Sequence, residues 1–201
     1  MRNRTPEETA LSFGPSRAIY RTTGGGRQGR FATQDQEQAQ TPRPDHMLND
    51  IYNRRIIELA GNIPRLGRLV DPDASATAHS KLCGSTVKVD LKMQGPVVTD
   101  FAHDVKACAL GQASSSIMAR HIIGSSAGEL RELREIVRKM LKENGSPPPS
   151  DHKWADIALL EPVRDYKARH ASTMLAFDAV VDAIGQIETK RGAKRPAAAQ
   201  G

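Results

Sequence analysis

Val87, Val89, Leu91 and Met93 alternate with Lys88, Asp90 and Lys92, the period of two that marks a strand with one buried face. Gln94-Gly95-Pro96 interrupts it with turn residues. Val97, Thr99, Phe101, His103 and Val105 then form a second strand, with Asp100 and Asp104 on its other face, and a preceding strand fits Ala74 to His79. Elsewhere the period is helical. Leu48, Ile51, Tyr52, Ile56 and Leu59 form one stripe that stops at Gly61, and Leu110, Ala113, Ser114, Ile117, Met118, His121 and Ile122 form another that stops at Gly124. Ser126 and Glu129 have the spacing of a capping box before Leu130, Leu133, Val137, Met140 and Leu141, and Asn144-Gly145 with Pro147 to Pro149 ends that helix. A short helix is expected over Trp154 to Leu160, and a long one from about Ala168 to Ile187 with Met174, Phe177, Val181 and Ile184 inward. Together these elements predict an α+β fold: a small antiparallel three-stranded sheet with helices packed on one face.

Outside this region the pattern fades. Residues 1–46 are rich in Arg, Gln, Thr, Pro and Gly without a sustained period, which predicts a disordered extension ahead of one domain over residues 47–188. Residues 189–201 predict a basic flexible tail. The formal net charge of +6 raises nucleic acid as a partner, but no aromatic-studded basic strand or basic recognition helix accompanies it, so solvated charge and basic tails account for it. With no apolar run long enough for a membrane span and no apolar leader, the expectation is a cytoplasmic protein without a membrane partner.

Chemistry concentrates at two thiols. Cys83 and Cys108 are the only cysteines, one in Lys81-Leu82-Cys83-Gly84-Ser85 at the start of a strand, the other between a strand and a helix of small residues. A sheet brings both to one end. In a reducing compartment such a pair stays as thiols, and a thiol at a helix start meets unpaired N–H groups that favour thiolate. Thiolates suit zinc, copper(I) and iron-sulfur clusters, yet a closed tetrahedral site takes four ligands. His103, His170 and Asp104 are candidates for the remaining positions. No nucleophile elbow, phosphate loop or dinucleotide fingerprint is present, so no enzyme is expected.

The order of these motifs resembles the NifU/IscU/SufU family of iron-sulfur cluster assembly scaffolds. The resemblance rests on Asn62-Ile63-Pro64-Arg65-Leu66-Gly67, Cys83-Gly84, Cys108 with the helix after it, and Val163-Arg164-Asp165-Tyr166-Lys167-Ala168-Arg169. It implies that Cys83 and Cys108 are the first two of three cluster-binding cysteines. Ser85 stands where the family has aspartate, and ungapped matching puts Ser172 where it has the third cysteine. A competing register instead pairs His170-Ala171 with the family's His-Cys. Either way a third thiolate is absent.

By resemblance, the chain is a scaffold that holds iron or a transient 2Fe-2S cluster through two cysteines. His103, His170 or Asp104 completes the ligands within one subunit, or a homodimer shares one cluster. The implied partners are a cysteine desulfurase and apo-protein recipients; a chaperone-recognition segment is not evident. The alternative is a degenerate scaffold that binds zinc or no metal and regulates the desulfurase or another assembly partner.

Overall fold

The computed structural model describes residues 54–194. The expectations for residues 1–46, for Leu48, Ile51 and Tyr52, and for the chain after Lys194 fall outside these residues. Helix α1 spans Arg54–Gly61 and is followed by strands β1 (Ala74–His79), β2 (Thr86–Gln94) and β3 (Val97–Lys106). Helices α2 (Ala109–His121) and α3 (Ala127–Lys142), a 3-10 segment (Ala155–Asp165) and helix α4 (Lys167–Lys194) complete the order.

The strands form an antiparallel sheet in the order β1-β2-β3. Gln94 pairs with Val97, so Gly95-Pro96 is a two-residue loop, and Gly95 takes the positive φ of 57° that such a loop demands. The alternation places Val87, Val89, Leu91 and Phe101 in the core. On β1 the core-side residues are small: Ala74, Ala76 and Ala78 pair with Leu91, Val89 and Val87, which leaves room for α4 to lie across the sheet. A register shift between Lys92 and Met93 frees the Met93 N–H, and the Asp73 carboxylate accepts it at 2.8 Å.

The connection after α1 is ordered by the sheet. Arg65 O accepts from His103 N at 3.1 Å and Gly67 N donates to His103 O at 2.9 Å, so this irregular segment covers the outer edge of β3. It then delivers Arg68 to Asp90, which is fully buried on the sheet face opposite the helices. The guanidinium donates to both carboxylate oxygens, at 2.5 and 2.7 Å, and Leu69 N and Ser75 Oγ donate at 3.0 and 2.6 Å. A strand residue expected on a polar face is therefore the anchor of the preceding loop.

The helical layer follows the periodicity with three differences. Ser126 Oγ accepts from Glu129 N at 3.2 Å, as the capping pattern requires, and Glu129 also accepts from the buried Trp154 Nε1 at 2.7 Å. The turn after Trp154 is a 3-10 segment that runs through Pro162 to Asp165, a form suited to short connectors. Helix α4 continues past Ile187 to Lys194, so the first part of the expected tail is helical. There Arg191 donates to Met93 O and Gly95 O, each at 2.6 Å, tying the helix end to the β2–β3 hairpin. The buried residues that follow Phe177 are Ala179 and Val180, while Val181 is half-buried.

Candidate metal centre

Thr86 at the start of β2 pairs with Lys106 at the end of β3, which brings the loop before β2 beside the start of α2. That loop is closed by Ser80 N to Ser85 O and Gly84 N to Ser80 O, both 2.9 Å, with Gly84 at a φ of 68°. The left-handed backbone at Gly84 turns the chain back into β2 and leaves Cys83 exposed. Its Sγ lies 3.3 Å from Ser80 Oγ and 3.0 Å from Ser85 Oγ, and both serines are buried. Cys108 is the N-cap residue of α2, with extended backbone and a half-buried thiol. Its N–H donates to Ser85 Oγ at 3.4 Å, so Ser85 touches both cysteine positions.

The third side of the site comes from α4. Cys108 Sγ lies 3.4 Å from Ser172 Oγ, and Ser172 also donates to Arg169 O at 3.0 Å. Gly111 makes this approach possible: a Cβ there would sit 2.8 Å from Ala107 Cβ and 3.0 Å from Ser172 O. Gly111→Ala is expected to cost about 1–3 kcal/mol through overpacking and to push α4 away from Cys108. Urea unfolding measures the cost.

Hydrogen bonding to Ser80, and next to Ser85 through side chain and backbone, pulls the Cys83 thiol down from its ordinary value to about 7. Slight burial opposes the shift, and Ser172 adds to it. Hydroxyl donors favour the thiolate because they stabilise charge on sulfur. Iodoacetamide should therefore alkylate Cys83 in the metal-free protein with a half-maximal rate near pH 7, slower below it where the thiol is protonated. Ser80→Ala should move that midpoint upward, as mass spectrometry of the Cys83 peptide will report.

Cys83, Cys108, Ser85 and Ser172 thus converge, and Ser80, which the motif pattern did not single out, joins them. The other candidates are elsewhere. His103 lies on the core side of β3 and is fully buried; its Nε2–H donates to Pro64 O at 2.9 Å and its ring meets Phe101 edge-on at 5.0 Å. Its Nδ1 has no partner among the described residues, and burial above all pushes its pKa down against the pull of the Pro64 carbonyl. Asp104 is exposed on the opposite strand face, across from Lys88. His170 points its Nε2 at Val163 O and Arg164 O, at 3.1 and 3.0 Å, and so is held by the 3-10 segment. His103, Asp104 and His170 are therefore not assembled with the thiols. Strand alternation and helix phase explain it: neighbours in sequence leave these elements in different directions. The same phase separates the two registers, since Ala171 is exposed while Ser172 is buried against Cys108. Among the described residues, no group of three or more His, Cys, Asp and Glu side chains could hold a metal ion.

The family model of the NifU-like N-terminal domain matches residues 51–173, more than half of the chain. The chain belongs to this family. It is 26% identical over 137 residues to the iron-sulfur cluster assembly scaffold protein IscU of Thermotoga maritima, covering 68% of this chain and 94% of that one. It is 22% identical over 141 residues to the zinc-dependent sulfurtransferase SufU of Bacillus subtilis, covering 70% and 94%. Among solved structures, the N-terminal NifU-like protein from Brucella abortus is 65% identical, with a TM-score of 0.70 over 72% of this chain and 99% of that one. FiSufU from Fervidobacterium islandicum AW-1, at 20% identity and a TM-score of 0.62 over 68% and 98%, supports the fold alone. The three-stranded sheet with its helices is the architecture of these neighbours. This NifU-like chain is thus homologous to iron-sulfur cluster assembly scaffolds, a family whose members are not classical enzymes, although one relative is called a sulfurtransferase. No helix among the described residues is long and apolar enough to cross a membrane.

Proposed function

We propose that this NifU-like domain carries iron or a transient 2Fe-2S cluster as cargo on Cys83 and Cys108 and passes it to apo-protein recipients. The observation that carries this reading is the convergence of the two thiols, one exposed and one half-buried, at the end of the sheet. A cluster of this type takes four ligands, and one subunit offers two thiols with no histidine or carboxylate grouped around them among the described residues. Two subunits that each donate Cys83 and Cys108 supply the set. The donors present thus fit half of a cluster.

Serine hydroxyls complement this arrangement rather than complete it. Ser80, Ser85 and Ser172 stay protonated near neutral pH: the Ser80 and Ser85 hydroxyls are within hydrogen-bonding distance of Cys83 Sγ and spread the charge of its thiolate, while Ser172, whose hydroxyl donates to Arg169 O, accepts from the Cys108 thiol. Ligation by thiols at an exposed tip leaves the cargo accessible for transfer. A cysteine desulfurase supplies sulfur in this reading, and the recipients are apo-proteins that offer a fuller thiolate set.

A second reading has one observation in its favour: a relative bears a zinc-dependent name, and the family resemblance implies ligands where this chain has Ser85 and Ser172. Here the domain binds zinc or no metal and regulates the desulfurase. Anaerobic reconstitution with iron and sulfide, followed by visible absorption with metal and sulfide analysis, separates the two. The cargo reading expects charge-transfer bands that vanish in Cys83→Ala and Cys108→Ala. A colourless protein, with zinc bound or with no metal, would favour the second reading.

A further inference from the structure

On the far side of the first turns of α4 from Ser172 lies a groove of about 370 Å³ between α3, α4 and β1. Arg134, Arg138 and Lys142 recur on one face of α3, and Lys167 and His170 stand opposite them on α4. The lining holds four permanent cations against one carboxylate, Asp178. Its floor is apolar, formed by the buried Met174 and Leu175. Lys142, Lys167 and His170 also line an adjoining cavity of about 520 Å³, so the cationic track continues along the N-terminal end of α4.

The cations are of two kinds. Arg134 is held by Asp178 and Glu135, and Arg138 by Glu135 and Glu143, at 2.6–2.7 Å. The side chains of Lys142 and Lys167 are exposed and have no hydrogen-bond or ion-pair partner among the described residues. One lip of the groove is Ala78 and His79 at the end of β1. This strand pairs with β2 on one side only, and its other edge has no strand partner among the described residues. An open strand edge with exposed N–H and C=O groups accepts an extended chain.

We propose that this groove docks an extended acidic segment of a partner protein, with its backbone along β1 and its carboxylates at Lys142 and Lys167. The apolar floor and the strand edge favour a peptide over a bare phosphate, which would use neither. No tail of this chain has the required composition: residues 1–46 carry seven arginines against five carboxylates, and the C-terminal end is basic. The occupant is therefore a segment of another protein. Its position has a consequence, because Ala171 in the groove neighbours Ser172 and His79 neighbours Ser80. A docked segment lies beside Cys83 without covering it. The inference does not depend on which metal or cluster the thiols hold.

The test uses the full chain and a short fluorescein-labelled peptide in which Asp and Glu alternate with Val and Leu, read by fluorescence anisotropy. A peptide with Lys at the acidic positions, a short DNA duplex and inorganic phosphate are the comparison probes. The acidic peptide is expected to bind, to weaken with added salt, and to lose affinity by at least about tenfold in Lys142→Glu/Lys167→Glu. Circular dichroism should show that variant folded, and amide NMR shifts should map the peptide to Thr77, Ala78 and His79. Equal binding by the variant, equal binding of the lysine peptide, or no binding would overturn the proposal. Tighter binding of DNA, abolished by the same substitutions, would make the groove a nucleic-acid site and overturn it as well. Cluster loading measured on the same samples keeps this outcome separate from that of the cargo reading.

Discussion

Ser172→Cys is expected to lengthen the lifetime of a reconstituted cluster by at least about tenfold and to let a single subunit hold zinc tightly. The substituted side chain is buried, its oxygen is 3.4 Å from Cys108 Sγ, and Ser172 also contributes to the lowered pKa of Cys83. Replacing oxygen by sulfur is a small change in volume at a position already facing both thiols. A serine hydroxyl is hard and protonated, whereas a thiolate is the donor that iron-sulfur and zinc sites prefer. Losing a hydrogen-bond partner of a metal ligand alone changes affinity by about 10–100-fold. Gaining a direct ligand should therefore reach at least the lower end of that range. Decay of visible absorption under chelator challenge measures the lifetime, and competition with a chromophoric chelator measures zinc affinity. A lifetime and affinity equal to wild type would mean that Ser172 does not face the cargo.

Asp90→Ala is expected to destabilise the fold by about 2–3 kcal/mol. Breaking a buried ion pair costs about 3–5 kcal/mol, and the lower figure applies because Arg68 is 47% exposed and can return to water. Ser75 Oγ and Leu69 N also lose their acceptor. For a domain of this size the loss corresponds to a fall in Tm of about 4–12 °C. The pH dependence follows from the same contacts. Burial, the largest influence on Asp90, raises its pKa, but the Arg68, Ser75 and Leu69 hydrogen bonds outweigh it and hold the carboxyl below its ordinary value. A depressed carboxyl pKa in the fold means stability that is fully present above the unfolded value of about 3.9 and is lost as pH falls through the folded value. Urea unfolding against pH should show wild type losing this contribution in acid, while Asp90→Ala has none to lose.

The elements were legible because their periods are clean. Val87 to Met93 alternates without a break, and Ser126 with Glu129 marks the start of α3 at the residue where the cap forms. What local pattern did not carry were contacts made across the fold. The extension of α4 depends on Arg191 reaching the hairpin carbonyls, and the burial of Asp90 depends on Arg68 from a loop without periodicity. The same limit applied at the site. Both thiols could be assigned to one end of the sheet from strand order, but Ser80 enters only through the tight loop that Gly84 closes. His103 and His170 looked available as ligands because sequence proximity to Cys108 and Ser172 says nothing about direction. Each ring is instead committed to backbone carbonyls. Helix phase in α4 also separates Ser172 from Ala171, a choice that motif matching left open.

The central claim is that two thiols per subunit hold the cargo, so that a cluster must be shared. Native mass spectrometry of the anaerobically reconstituted protein tests it most directly. The account predicts that the cluster-bearing species is a dimer with one 2Fe-2S unit, and that Cys83→Ala and Cys108→Ala each remove both the cluster and the dimer. A cluster carried by a monomer, or one that survives the loss of either cysteine, would contradict it.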